Sequence, residues 1–385
     1  MAESKVYKKR PHRKVKSGCA TCKRRKIKCD EEKPQCSNCV RYSAECVYPT
    51  PPLDTSPLTP TPPSLNQTPE GIAEEPPVAQ YPKGINDLPI RDLALMHQWS
   101  VSTSLGFGDD FQGLSDPWRI DVPILAQSNH FLMRGILAVT ALHISKLTTD
   151  PTMKLKYAQL AAWHQDLALP EYRAAIVNVT EENATAILAF ASLTTVYSFT
   201  TTPQRGGHFT RGVPEWVYLH RGVGRIPQHW YPWIENGPLR HQLCRRRLQP
   251  VDPTANPDDY HLVCLRGMLC SLPPEEQSDG IYYEQALQAL RQAFAHAYLP
   301  ESRIGPKYAL LIWIEQINSA FLELLYSQKP RALVLFAHCC ILLKRAALVW
   351  FLDGTAELIL TEIKGRLTED FYQWIGWPLE ICGMV

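Results

Sequence analysis

Six cysteines within residues 19–46, a proline-dense stretch after them and helical periodicity through the remainder predict two unlike folded parts. The first is a small metal-stabilised domain with two short helices. A disordered linker joins it to an all-helical domain. The expected boundaries are a basic arm over 1–16, the cysteine domain over 17–48, the linker over 49–86 and the helical domain over 87–385. A chain of 385 residues has room for one sizeable core and one small unit.

Charge divides the chain in a similar way. The formal net charge of +2 hides a basic head and an acidic body. Residues 1–48 carry 14 Lys/Arg against 5 Asp/Glu, and the rest carry 26 against 33. Such a head suits a polyanionic partner. The run from Lys8 to Lys16 fits a nuclear-import signal and an arm that contacts phosphates. The first 16 residues lack the apolar stretch of a secretory signal. Without export, clustered cysteines read as metal ligands before disulfides.

The cysteines follow the spacing Cys-x2-Cys-x6-Cys-x6-Cys-x2-Cys-x6-Cys, at Cys19, Cys22, Cys29, Cys36, Cys39 and Cys46. This is one three-cysteine unit written twice. Each half offers three thiolates, whereas a closed structural zinc site takes four. Six thiolates satisfy two Zn2+ if two sulfurs are shared, and Cys19 and Cys36, the first of each half, are the symmetric choice. A segment this short, with few large apolar residues, cannot fold by burial, so the metal must supply the folding energy. Pro34 lies between the halves and would set the turn that superposes them.

Between Cys22 and Cys29 lies Lys23-Arg24-Arg25-Lys26-Ile27-Lys28, five cations in six positions. A helix there would present Arg and Lys to a DNA major groove, where Arg pairs bidentately with guanine. Other cations, with N–H groups at the helix start, would hold phosphates. The matching stretch of the second half, Val40 to Glu45, has one cation. The first half is therefore expected to read DNA and the second to scaffold it.

Residues 17–48 resemble the fungal zinc binuclear cluster, Zn(2)-Cys(6), of transcription factors. All six cysteine positions and the proline match. The resemblance implies two zinc ions bridged by Cys19 and Cys36 and base contacts from Arg25 and Lys26 in a CGG-like element; the charge run itself adds Lys23, Arg24 and Lys28 as the other expected DNA contacts. It implies a sequence-specific, DNA-binding RNA polymerase II transcription factor in the nucleus. The family often has Lys where Arg25 stands.

The linker is the next element. Residues 49–82 hold 11 prolines among Thr, Ser, Glu and Gln, too few apolar groups to offset ordering entropy. Its Ser/Thr-Pro pairs are ordinary for such composition. A dimerising heptad cannot occupy this proline-rich place. The chain then binds DNA as a monomer, or as a homodimer paired through the helical domain.

Helical spacing begins near residue 87. The expected helical segments are Val122–Lys146, Met153–Leu169, Asn183–Phe199, Val213–Val223, Tyr282–Ala297, Lys307–Tyr326, Arg331–Phe351 and Gly354–Trp374. No apolar run reaches the ~18 residues of a membrane span, and Ala332–Leu343 comes nearest. Trp313, Phe321, Phe336, Trp350, Phe351, Phe371 and Trp374 read individually as core, although some of them would line a pocket if an apolar ligand binds.

The helical part is similar to the C-terminal region of the sterol uptake control protein group. That likeness rests on His97–Ser100, Asn129–His143, Arg221–Val223 and Ile375–Pro378. It implies a ligand-binding, activating module in sterol-responsive members, and control of a single specialised-metabolite gene cluster in many other similar chains. The expected role is regulation of such a cluster, with sterol-gene control and a protein-interaction cofactor as the competing readings. No catalytic motif is present: Gly-x-Ser-x-Gly, the P-loop and His-Glu-x-x-His are all absent, and Gly222-Val223-Gly224 lacks a third glycine.

Overall fold

The computed structural model describes residues 18–48 except 26 and 43, then 89–108, 116–202, 207–209, 212–240, 248–302 and 304–385. The chain divides into two compact units, Met1–Tyr81 and Pro82–Val385. The basic arm (1–16), the linker (49–86) and Lys26 lie outside the described residues.

In the first unit two five-residue helices, α1 (Ala20–Arg24) and α2 (Ser37–Arg41), pack around the cysteines. Burial in this unit is concentrated on sulfur, as its composition requires.

The second unit is all-helical among its described residues. It runs α3 (Ile90–Val101), a 3-10 turn over Thr103–Phe107, α4 (Asp121–Gln127), α5 (His130–Leu147), α6 (Pro151–Val177) and α7 (Glu181–Thr201). Then come α8 (Glu215–Gly224), α9 (Tyr231–Glu235), α10 (Asp259–Cys264), α11 (Arg266–Leu269), α12 (Gly280–Tyr298), α13 (Pro306–Gln316), α14 (Ser319–Tyr326), α15 (Pro330–Arg345), α16 (Thr355–Lys364) and α17 (Gly376–Ile381).

Two helices form the centre. α5 packs on α3, α6 and α7, and α15 packs on α12, α13 and α16. Every residue from Ala332 to Leu343 is buried, so α15 is apolar all round because it has no solvent face. α7 is the one described helix long and apolar enough by itself to cross a membrane, which corrects the choice of Ala332–Leu343 as the nearest candidate. It is a core helix here: 78% of its apolar window is buried.

Three expected helices are broken, two of them where an asparagine side chain captures the backbone. Val122–Lys146 splits because Asn129 leaves the helical region (φ −131°, ψ 86°) and its amide donates to the Leu125 carbonyl at 2.9 Å, closing α4. Lys307–Tyr326 is two helices at 99° to each other. There the Asn318 side chain accepts the Phe321 N–H at 2.7 Å and starts α14. Arg331–Phe351 stops at Arg345, and Gly354, at φ +76°, turns the chain into α16. Conversely, α6 runs past Leu169 and through Pro170 to Val177.

Polar ties lock the bundle. Asp259 accepts two guanidinium bonds from Arg291, at 2.8 and 2.6 Å, with both residues buried. Arg221 on α8 donates to the Ile314 carbonyl at 2.7 Å and to that of Ile317, serving the C-terminal end of α13.

Candidate metal centre and nucleic-acid interface

The repeat of 17 residues seen in the cysteines is repeated in the backbone. Lys23 N–H donates to Cys19 O and Val40 N–H to Cys36 O, both at 3.1 Å. Ile27 N–H donates to Cys22 O at 3.2 Å, and Ala44 N–H to Cys39 O at 3.0 Å. The amides of the first cysteines follow suit. Cys19 N–H points at Cys29 Sγ (3.4 Å) and Cys36 N–H at Cys46 Sγ (3.3 Å). Each half is thus a turn of helix whose ends fold back onto sulfur.

The sulfurs converge. Sγ atoms are 3.7 Å apart for Cys19–Cys36, 3.7 Å for Cys19–Cys39 and 3.6 Å for Cys22–Cys36. A disulfide needs about 2.05 Å, so these six cysteines are free thiols. A tetrahedron with Zn–S of about 2.3 Å has an S···S edge of about 3.8 Å, and the observed spacings fit it. Cys19, Cys22, Cys36 and Cys39 all lie within 4.8 Å of one another, and Cys29 joins Cys36 within the same limit. The short sulfur contacts across the halves run through Cys19 or Cys36, as shared ligands require.

Electrostatics favour a dication here. The Cys22 N–H, 3.4 Å from Cys19 Sγ, pulls the Cys19 thiol down to about 6. Burial pushes the Cys22 thiol up and the Cys39 thiol up to about 12. Several buried thiolates this close repel one another, and bound metal is what makes them tenable. The donor set therefore fits two zinc ions.

A polar shell that the cysteine spacing does not reveal fixes the halves together. The Asp30 carboxylate accepts the Ser37 N–H at 3.0 Å and the Ser37 hydroxyl. Asn38 donates to the Lys28 carbonyl at 2.7 Å, and Thr21 to the Glu45 carbonyl at 2.6 Å. Tyr48 donates its hydroxyl to the Glu32 carbonyl at 3.0 Å and lies 3.6 Å from Cys29 Sγ. The only sequence signal for this shell was the density of short polar residues around the cysteines.

The basic run is arranged differently from expectation. The helix does not span residues 23–28. It begins at Ala20, whose N–H donates to the Val47 carbonyl at 2.8 Å, and the Cys22 N–H of its first turn donates to Cys19 Sγ at 3.4 Å. Lys23 and Arg24 fill its last turn and Arg25 caps it. Cations are well placed there, at the negative end of the helix dipole. The helix stops because the Ile27 N–H must reach back to Cys22 O, which turns Cys29 toward the other sulfurs. Lys23, Arg24, Arg25 and Lys28 are exposed on this unit, and Lys26 lies outside the described residues. The Arg25 guanidinium lies over the Tyr42 ring, 5.7 Å from its centroid.

Four of the thiols form one mutually close cluster, Cys29 approaches it through Cys36, and exposed cations flank them. Residues 17–54 match the fungal Zn(2)-Cys(6) binuclear cluster domain, which binds two Zn2+ through six cysteines. A Zn(2)-C6 fungal-type transcription factor of Aspergillus fumigatus, afumD, is 28% identical over 336 residues, covering 85% of this chain and 84% of its own. One of Gibberella zeae is 24% identical over 445 residues, covering 97% and 87%. Sterol uptake control protein 2 of Candida albicans is 41% identical, but over 54 residues, 14% of this chain and 8% of its own. Residues 17–54 are thus a fungal Zn(2)-Cys(6) domain, and over most of its length the chain is similar to Zn(2)-C6 fungal-type transcription factors. Its likeness to the sterol uptake control proteins is confined to the zinc cluster, so those matches lend nothing to the resemblance read in residues 88–378.

Proposed function

We propose that this chain acts in the nucleus, binding duplex DNA at CGG-like elements and regulating a specialised-metabolite gene cluster. Cys19, Cys22, Cys29 and Cys36 hold one zinc, and Cys36, Cys39, Cys46 and Cys19 the other. Arg25 and Lys26 meet base edges, while Lys23, Arg24 and Lys28 neutralise phosphates. The observation that carries the reading is the set of cations at the end of a helix whose start is bound to the sulfur cluster. The metal pair sets the helix, and the helix aims the cations. The choice of a metabolite cluster over sterol genes is supported by chain-long similarity to the Aspergillus fumigatus factor, against cluster-only similarity to the sterol uptake control proteins.

Genome-wide mapping of the bound sites tests this. Peaks over CGG-containing promoters of contiguous biosynthetic genes are expected, and Arg25→Ala should erase them. Peaks confined to sterol genes would refute the pathway. Peaks insensitive to Arg25→Ala would refute the base contact.

A further inference from the structure

The two halves of the zinc cluster clasp each other reciprocally. Beside Cys46, the Ala20 N–H donates to the Val47 carbonyl at 2.8 Å and the Thr21 hydroxyl to the Glu45 carbonyl at 2.6 Å. Beside Cys29, the residues 17 places further on do the same. The Ser37 N–H donates to the Asp30 carboxylate at 3.0 Å, and the Asn38 amide to the Lys28 carbonyl at 2.7 Å. The start of each helix thus holds the residues on both sides of the other half's third cysteine.

The two clasps differ in what they hold. Glu45 ends a loop with one cation, whereas Lys28 ends the run of five that begins at Lys23. A metal ion cannot take over this task. Zinc would fix the Cys29 sulfur, but the side-chain torsion between sulfur and backbone leaves the Lys28–Cys29 peptide able to turn. The Asn38 bond sets that peptide. Further along the run, the Arg25 guanidinium lies over the Tyr42 ring. Tyr42 N–H donates to the Asn38 carbonyl, so the two residues are one turn apart on the same side of α2. α2 therefore reaches both the Arg25 side chain and the Lys28 backbone.

We propose that Asn38 is a positioning residue for base discrimination: its amide, bonded to the Lys28 carbonyl, sets the angle at which the basic run meets the duplex. The proposal rests on the reading of Arg25 and Lys26 as base contacts. Phosphates attract cations from any direction, whereas a base edge accepts a donor only along its own plane. Loosening the run should therefore cost discrimination before it costs charge attraction.

The test titrates the full-length chain with a duplex carrying a CGG triplet and with duplexes altered at each base pair of that triplet. Zinc is counted by native mass spectrometry. Asn38→Ala should keep its zinc and its salt slope, yet lower the affinity ratio between the CGG duplex and the altered ones about three- to tenfold, the range of one lost hydrogen bond. If that variant sheds zinc, Asn38→Asp keeps the shape, cannot donate, and should lower the ratio likewise. A merely structural loss would shrink the fraction of chains able to bind and leave the ratio alone. Thr21→Val frees the Glu45 carbonyl instead and should not change the ratio. The proposal is overturned if zinc-loaded Asn38 variants discriminate as the parent chain does, or if Thr21→Val lowers the ratio as far as they do. In either case an Arg25→Ala chain that has lost discrimination leaves the base contacts standing. A parent chain with no preference for the CGG duplex would overturn both.

Discussion

Arg25 and Tyr42 occupy equivalent places, 17 residues apart, in the two halves of the zinc cluster, and the guanidinium of one lies over the ring of the other. Their backbones show the same equivalence. Arg25 N–H donates to Thr21 O at 3.1 Å, and Tyr42 N–H donates to Asn38 O at 3.2 Å. The half with few cations thus braces the side chain of the half with many. Arg suits this, since its flat, weakly hydrated cation can stack on the ring face.

Tyr42→Ala is therefore expected to weaken duplex binding two- to five-fold, matching the ~0.5–1 kcal/mol of an exposed cation–π contact. Tyr42→Phe should restore it. The slope of affinity against salt should not change, because no phosphate contact is lost. Arg25→Ala should cost more, about 1–3 kcal/mol, and relax discrimination at one base pair. Fluorescence-anisotropy titrations over a range of salt concentrations read both quantities.

All ten tryptophans fall between Trp99 and Trp377, so tryptophan fluorescence follows the helical unit without interference from the zinc cluster. Asp259→Ala leaves the Arg291 guanidinium buried without its partner, and about 3 kcal/mol of stability should be lost in urea unfolding. Replacing both, as Asp259→Leu with Arg291→Met, should recover most of it. A double variant as weak as the single one would show that the pair is worth more than its apolar substitute.

Gly135 offers a test of sign. Alanine is the better helix former by about 1 kcal/mol. A Cβ at this position would meet Phe190 at 2.7 Å and Leu193 at 3.2 Å, however. Phe190 cannot yield, since it is fully buried between Phe131 and Tyr172. Overpacking of about 1–3 kcal/mol should win, and Gly135→Ala should lower the melting temperature.

Burial pushes His143 and His338 down to about 4. In the unfolded chain both titrate near 6.5. Between roughly pH 6.5 and 4 the unfolded state binds protons that the folded state refuses, so stability should fall as pH drops through that window and level off below it. Tryptophan-detected melts from pH 7 to 4 check this. His338→Gln keeps a donor for the Val334 carbonyl, 2.9 Å from Nδ1, and should flatten the dependence.

The zinc cluster was legible because metal chemistry writes itself into local spacing. Six sulfurs and a duplicated register leave little freedom for Cys19 through Cys46. The helical content was legible for a similar reason: apolar periodicity survives inspection residue by residue. The breaks at Asn129 and Asn318 were hidden because that periodicity continues across them, and only a capping side chain marks the change of direction. The reach of α1 was misjudged on charge alone, when the turn at Ile27 decides where it ends. The pairing of aromatic rings was out of reach altogether. Trp313, Phe321 and Phe336 are fully buried core. Which rings face one another depends on contacts between segments more than a hundred residues apart.

The central claim is that bound metal, not apolar burial, shapes the DNA-reading end. Native mass spectrometry of the full chain, paired with duplex binding before and after chelation, tests it most directly. Two zinc ions per chain are expected, and stripping them should abolish binding while the tryptophan emission of the helical unit stays unchanged. A metal-free chain that held the same duplex with undiminished affinity would contradict it.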